Sequence, residues 1–331
     1  MEFRRLGGSG LLVSELSYGN WLTHGSATAQ SNAPACVHAA LDAGINLFST
    51  AAAWGAGDAE VSLAKALRAT RRDDLVLCSG VYWPEGPSRN ASGLSRKHLH
   101  TSLHGSLRRL ETDYLDVYQL LRFDYQTPLE ETFLALSDLV RHGKILYVGT
   151  SEWSAEQLLR ASTLAAELRV PLVANQPHYS MLWRVPEAQV MPVCRRAGIG
   201  QLVSLPLAQG LLTGKYCDGG IPAGSRAAGD EAARQAIWPL LNKDLLDRIG
   251  LLRGVAAHAG LSMAQLAIAW TLQHEDVASA VTGASTPDQI TENAKAAGIT
   301  LDFEVLTQID ELLGTFVQTD PRLTFSPPQY R

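Results

Sequence analysis

The chain has 331 residues, 46% of them hydrophobic, and a formal net charge of −5 with both signs interspersed. That content supports a sizeable core and excludes a disordered class, and the lack of any clustered basic stripe excludes a nucleic-acid binder. No apolar run reaches the length needed to cross a bilayer and residues 1–5 lead into no signal-peptide core, so a cytoplasmic protein without membrane insertion is expected.

Taken in chain order, residues 3–6 and 11–14, split by Gly7-Gly8-Ser9-Gly10, read as a hairpin ahead of the main fold. Alternation follows. Apolar, strand-like runs fall near 16–19, 45–48, 74–78, 115–120, 145–149, 171–175, 200–204 and 278–282. Amphipathic helical stretches lie near 33–43, 58–69, 96–110, 128–142, 154–168, 186–197, 239–258 with 262–273, and 286–297. Thr127-Pro128-Leu129-Glu130, Ser154 with Gln157, and Thr286-Pro287-Asp288-Gln289 read as capped helix starts, and Gly143 as a helix stop.

Eight strand-then-helix units, with strands apolar on both faces, predict an α/β protein. Its expected form is a TIM (β/α)8 barrel with an N-terminal β-hairpin, residues 1–331 forming a single domain. An open doubly wound sheet is the competitor, but no G-x-G-x-x-G turn follows the first strand. The four cysteines, Cys36, Cys78, Cys194 and Cys217, have neither metal nor redox spacing and read as reduced, mostly packing thiols; no metal is expected.

In such a barrel the site lies at the C-terminal ends of the strands. That rule nominates Asn20, Trp21, His24, Ser49, Trp54, Ser79, Gly80, Leu121, Arg122, Asp124, Ser151, Glu152, Gln176, His178, residues 204–209 and residues 283–285. Glu152 and His24 are the acid–base candidates. The plainer reading of Glu152 is a solvated carboxylate near the following helix's positive end. His24 and His178 are each more often surface hydrogen-bonders. Arg122 and Asp124 could form an ion pair, and His98, His100 and His104 read as a surface group with poor metal-ligand spacing.

The stretch from Ile45 to Gly57, read as Asn46-Leu47-Phe48-Ser49-Thr50-Ala51 and then Trp54-Gly55, resembles the N-x-F-D-T-A-x-x-Y-G signature of the aldo-keto reductases. Further matches at residues 93–98, 110–116, 128–132, 149–151 and 264–270 extend the resemblance to about residue 314. It is most like the branch containing the β subunits of voltage-gated potassium channels.

That family reduces carbonyls with NADPH, using an Asp, a Tyr, a Lys and a His. The resemblance sets these positions on Ser49, Trp54, Gly80 and Leu121, none of which ionises in the working pH range. It places the cofactor residues on Ser151, Gln176, Pro206, Leu207, Lys215, Arg226, Gly283, Ser285, Gln289, Glu292 and Asn293, with Glu152 for an Asn or Arg and Ser204 for a stacking aromatic. NADP(H) binding and inheritance of these residues without use both stay open.

Three functions follow from the resemblance and its breaks. The first is non-redox chemistry (isomerisation, elimination or cyclisation) on an apolar small molecule. The second is an NADP(H)-binding regulatory pseudoenzyme, and the third an atypical NADPH-dependent carbonyl reductase. The partner is a small-molecule ligand, and a homo-oligomer is compatible with the sequence.

Overall fold

A computed structural model describes residues 1–21, 32–229, 231–324 and 326; His24 lies outside them. The hairpin is β1 (Phe3–Arg5) and β2 (Leu12–Ser14), paired antiparallel with Phe3 opposite Ser14. Its apolar side, Leu6 and Val13, is buried against Leu47, Val76, Cys78, Val117 and Leu202, so the hairpin plugs one end of the barrel. The turn needs glycine: Gly7 has φ +57°, and a Cβ there would sit 2.3 Å from the Gly198 carbonyl oxygen.

The barrel strands are β3 (Leu16–Gly19), β4 (Leu47–Ala51), β5 (Val76–Val81), β6 (Leu115–Leu120), β7 (Ile145–Ser151), β8 (Leu172–Gln176), β9 (Gly200–Ser204) and β10 (Val277–Thr282). They lie side by side in chain order, all parallel, and β10 closes on β3. Around them run α1 (Ala33–Asp42), α2 (Asp58–Leu67), α3 (Arg96–Arg109), α4 (Leu129–Arg141), α5 (Ala155–Glu167) and α6 (Val190–Ala197). Then come α7 (Glu231–Ile237), α8 (Lys243–His258), α9 (Met263–Leu272), α10 (Pro287–Ala294) and α11 (Phe303–Leu313). Among the described residues no single helix is long and apolar enough to cross a membrane.

Buried polar side chains tie neighbouring strands together. Cys78 Sγ donates to Gln119 Oε1 (3.1 Å), Gln119 Nε2 to the Thr150 carbonyl (2.9 Å), Thr150 Oγ1 to Asn175 Oδ1 (3.0 Å), and Asn175 Nδ2 to Gln201 Oε1 (3.1 Å). Each group is satisfied by the next, which makes a polar barrel interior affordable and fixes strand register.

The helix starts are partly as expected. Ser154 and Gln157 form a reciprocal capping box on α5, and Ser262 with Gln265 forms one on α9 that was not anticipated. Thr127 and Thr286 do not cap. The Thr127 hydroxyl donates to Asp124 Oδ2 (2.6 Å), and Gln289 Oε1 accepts from the Ser285 amide (3.0 Å).

His98 corrects the surface reading, for it is 1% exposed in the seam between α3 and the barrel. Its Nε2 lies 3.5 Å from Glu85 Oε1, itself held by the Ser102 hydroxyl at 2.6 Å. Burial pushes the His98 imidazole down from 6.5 to about 4, against the opposing charge of Asp124. The unfolded chain therefore binds this proton near pH 6.5 and the folded chain only near 4, so its contribution to stability is lost as pH falls through that window. Glu85, whose carboxyl burial pushes up, contributes with the opposite sign. Substituting His98→Gln isolates the effect: wild type should lose more stability than the variant between neutral pH and about pH 4 in urea titrations. Parallel pH profiles for the two proteins would contradict it.

Candidate active site

The corner between β4 and α2 is made by small residues. Gly55, Ala56 and Gly57 all take left-handed φ (+55°, +54° and +98°), which turns the chain sharply and leaves Trp54 partly buried against the core. Ser49 is buried inside β4 opposite Cys78 of β5.

Two strands round, Gly80 and Leu121 are made for each other. A Cβ on Gly80 would fall 2.6 Å from Leu121 Cδ2, 2.7 Å from Cγ and 2.9 Å from Cδ1. The Leu121 side chain, 6% exposed, thus fills the space directly over Gly80, and no longer side chain fits at position 80 without moving it. Gly80→Ala should cost about 1–3 kcal/mol by overpacking, and Leu121→Ala in the same chain should restore part of it. Denaturant midpoints of the single and double variants measure this; strictly additive losses would show that the two residues do not compete for one volume.

The β6 end holds its charges close to the backbone. Arg122 Nη1 donates to the Leu121 carbonyl (2.5 Å), and its guanidinium lies 5.3 Å from the Trp83 ring centre. The expected Arg122–Asp124 ion pair is not made. Asp124 instead accepts from the Leu94 amide (2.8 Å), the Gln126 amide (2.9 Å) and the Thr127 hydroxyl, which organises the loop before α4.

At the β7 end the Ser151 hydroxyl donates to the Gln176 carbonyl (2.9 Å). Glu152, 7% exposed, has φ +57°, an uncommon conformation for a residue with a Cβ. Two hydrogen bonds hold it: Oε1 accepts from the His178 amide (2.6 Å) and its carbonyl accepts from Ser326 Oγ (3.0 Å), which in turn accepts from the Phe123 amide (2.9 Å). Ser204 Oγ donates to the Pro177 carbonyl (3.2 Å). The Ser151 and Ser204 hydroxyls are therefore both engaged with backbone, and the Gln176 amide beside them has no hydrogen bond among the described residues.

The loop after β9 takes left-handed φ at Leu205, Ala208 and Gln209, with Pro206 buried and Leu207 half-buried between them. Arg226 Nη1 donates to Gln209 Oε1, and the guanidinium lies 5.9 Å from the Trp21 ring centre. Lys215 approaches the same loop, 3.3 Å from where a Gly210 Cβ would be. Burial lowers the pKa of both Lys215 and Arg226, and the Arg226 charge lowers that of Lys215 further. Among the described residues neither cation pairs with a carboxylate, and the neighbouring Ser225 hydroxyl is buried without a partner. Two close cations and an orphaned hydroxyl suit a phosphate.

A second group sits at the end of β10. Ser285 bonds Gln289 through both its amide (3.0 Å) and hydroxyl (3.3 Å), with Gly283 and Ser285 exposed and Asn293 buried. Glu292 is shared between Gln265 Nε2 (2.8 Å) and Lys295 Nζ (3.0 Å). On the assignment that the resemblance implies, the residues present fit the phosphate-bearing half of NADP(H), whereas on the nicotinamide side Gln176 is the side chain without a hydrogen bond among the described residues. Among the described residues no group of His, Cys, Asp or Glu is assembled for a metal ion.

Sequence reasoning missed Ser225, which carries no motif, and Ser326, which reaches Glu152 from 174 positions away. No local pattern signals either.

The aldo/keto reductase family model matches residues 15–314. The chain belongs to the aldo-keto reductase family. It is 40% identical to a probable voltage-gated potassium channel subunit beta of Oryza sativa subsp. japonica, over 98% of this chain and 99% of that one. A protein of the same name from Arabidopsis thaliana is 38% identical over all of both chains. L-Glyceraldehyde 3-phosphate reductase of Escherichia coli O157:H7 is 38% identical over 94% of this chain and 92% of its own. Channel-subunit and reductase names thus stand at similar distances from one aldo-keto reductase barrel, and identity at this level leaves the activity to the site.

Proposed function

We propose that this chain uses the aldo-keto reductase barrel for non-redox chemistry, an isomerisation, elimination or cyclisation of an apolar small molecule, and does not carry out the family's carbonyl reduction. The observation that carries the reading is the Leu121 side chain over Gly80. By the resemblance these stand at the family's His and Lys positions, and a packed apolar pair there would offer no proton and no means of tuning one. Ser49 and Trp54 complete the set. Trp54 has only a weakly acidic N–H, and Ser49 is buried beside Cys78, a thiol that burial pushes up to about 12.

Glu152 is the acid–base group of this reading. Its carboxylate accepts from the His178 amide through one oxygen, and the second, with no hydrogen bond among the described residues, is the one that would take a ligand's proton. NADP(H) is held by Lys215, Arg226 and the Ser285–Gln289 group. When bound, the dinucleotide would supply the family's hydride chemistry; in this reading Lys215, Arg226 and the Ser285–Gln289 group would hold only its phosphate-bearing half beside the mouth.

The test is turnover without consumption of dinucleotide. Apolar carbonyl and enol compounds incubated with the protein in deuterated water should show deuterium incorporation or isomer formation by NMR, abolished by Glu152→Gln. Conversion that consumes one NADPH per product would sink this reading and leave the atypical reductase, which the name of the Escherichia coli relative favours.

The second reading is an NADP(H)-binding regulatory pseudoenzyme. It is favoured by the channel-subunit names of the plant relatives and by cations suited to phosphate beside a mouth without reductase groups. A stable protein complex with no turnover of any tested compound would select it.

A further inference from the structure

With His98 buried, two histidines of α3 remain toward its outer side. His100 is half-buried and His104 exposed, and they stand four residues apart, about one turn of the helix. Their ring centres are 6.3 Å apart, with the planes inclined at 46°. Two imidazoles at this spacing on one helix face are the pair with which a helix grips a borderline transition-metal ion. An ion bonded to both at about 2.0–2.1 Å would draw the ring centres to roughly 5 Å, a closure of about 1 Å that turning the exposed His104 side chain supplies.

The surroundings admit such an ion. His104 opens onto a groove of about 330 Å³ past the end of α3, which also carries the acidic residues Glu111 and Asp113. The charged and titratable groups that face His100 are Arg96 and His104 on its own helix, and Asp138 and His142 from α4 and its end. Burial above all, and then the Arg96 and His104 charges with His142, hold the His100 imidazole below its ordinary pKa, against Asp138. Arg96 is itself paired with Asp138 at 2.5 Å. A lowered pKa keeps the ring neutral at neutral pH, and the neutral ring is the form that binds a metal. A full set of three or more protein ligands is not assembled among the described residues, so water completes the coordination shell.

We propose that His100 and His104 together bind one divalent transition-metal ion of the Zn²⁺, Ni²⁺ or Cu²⁺ class on the outside of α3, away from the barrel mouth. The assignment does not depend on the chemistry proposed for the mouth.

Calorimetric titration of the full-length, chelator-treated protein at neutral pH, with Zn²⁺, Ni²⁺ and Cu²⁺ added singly as chlorides, tests this. One ion per chain should bind with micromolar affinity, Cu²⁺ the most tightly, while Mg²⁺, which prefers oxygen ligands, should not bind. Affinity should fall about tenfold or more in His104→Ala and in His100→Gln, since losing a ligand costs at least what losing a ligand's supporting contact does. His258→Ala, an exposed change on α8, should leave it unchanged. The electron paramagnetic resonance spectrum of the Cu²⁺ protein should show coupling to two imidazole nitrogens, reduced to one in His104→Ala. Circular dichroism of each metal-free variant reports an intact fold. Absence of saturable binding up to millimolar metal, or binding unchanged by either His100→Gln or His104→Ala, would overturn the proposal.

Discussion

Mixed with NADPH and simple aldehydes or ketones, the protein will consume NADPH no faster than a buffer blank. The expectation rests on the proposed reading, in which Ser49, Trp54, Gly80 and Leu121 stand at the family's catalytic positions and supply no acid. A positioned general acid contributes roughly 10²–10⁴-fold in rate, and a positioned electrostatic stabiliser about 10²–10³-fold. Groups that act as one unit do not add, so the loss is that of the whole relay and not four separate penalties. The buried pair of Gly80 and Leu121 also blocks the simplest repair: a lysine at position 80 would collide with Leu121 at its first side-chain carbon. Steady NADPH oxidation at family-like rates, surviving repurification and heat-inactivation controls, would defeat the account.

Arg226→Ala should weaken adenosine 2′,5′-bisphosphate and NADP⁺ by the same factor, roughly 10- to 150-fold. That is the range of about 1.5–3 kcal/mol for one charge-assisted hydrogen bond. Arg226 is half-buried, its charge lowers the Lys215 pKa, and it has no carboxylate partner among the described residues, so it has charge to give to a phosphate. It also bonds Gln209, so part of any loss could come from the loop after β9. Arg226→Lys separates the two, keeping charge while losing the forked donor to Gln209. Gln176→Ala, on the nicotinamide side, should change both affinities little. Unequal weakening of the two ligands by Arg226→Ala would move that residue out of their shared phosphate site.

The barrel was legible because its strands are apolar on both faces and its helices keep one apolar stripe; all eight barrel strands fall where the hydrophobic runs put them. Elements with weaker patterns were not foreseen. The helix α7 is short and α11 follows the last strand–helix unit, so neither belongs to the alternation that revealed the rest. Thr127 and Thr286 show the limit of local motifs. Both sit before a proline at a helix start, yet Thr127 is drawn to Asp124, and Gln289 turns to Ser285. Likewise His98 looks like a surface residue by spacing on its own helix, and only the packing of α3 shows that it is buried.

The site was legible residue by residue but not as an arrangement. Ser49, Trp54, Gly80 and Leu121 stand out in the sequence because the family resemblance implies an Asp, a Tyr, a Lys and a His at those positions. That Leu121 covers Gly80 is a fact of side-chain direction across two strands, and nothing in the spacing of positions 80 and 121 contains it. Arg122 and Asp124 follow closely on Leu121, and in the sequence alone an ion pair between them is open. In the fold each finds a better partner nearby, Arg122 its neighbour's carbonyl and Asp124 three donors of the surrounding loops.

The central claim is that the dinucleotide is held by its adenosine-phosphate half beside a mouth no longer built for hydride transfer. Calorimetric titration of the wild-type protein with NADP⁺ and with adenosine 2′,5′-bisphosphate tests it most directly. Near-equal affinities, with NAD⁺ weaker than either, are the predicted result; NADP⁺ binding far more tightly than the bisphosphate would mean that the nicotinamide pocket is functional, and would contradict the account.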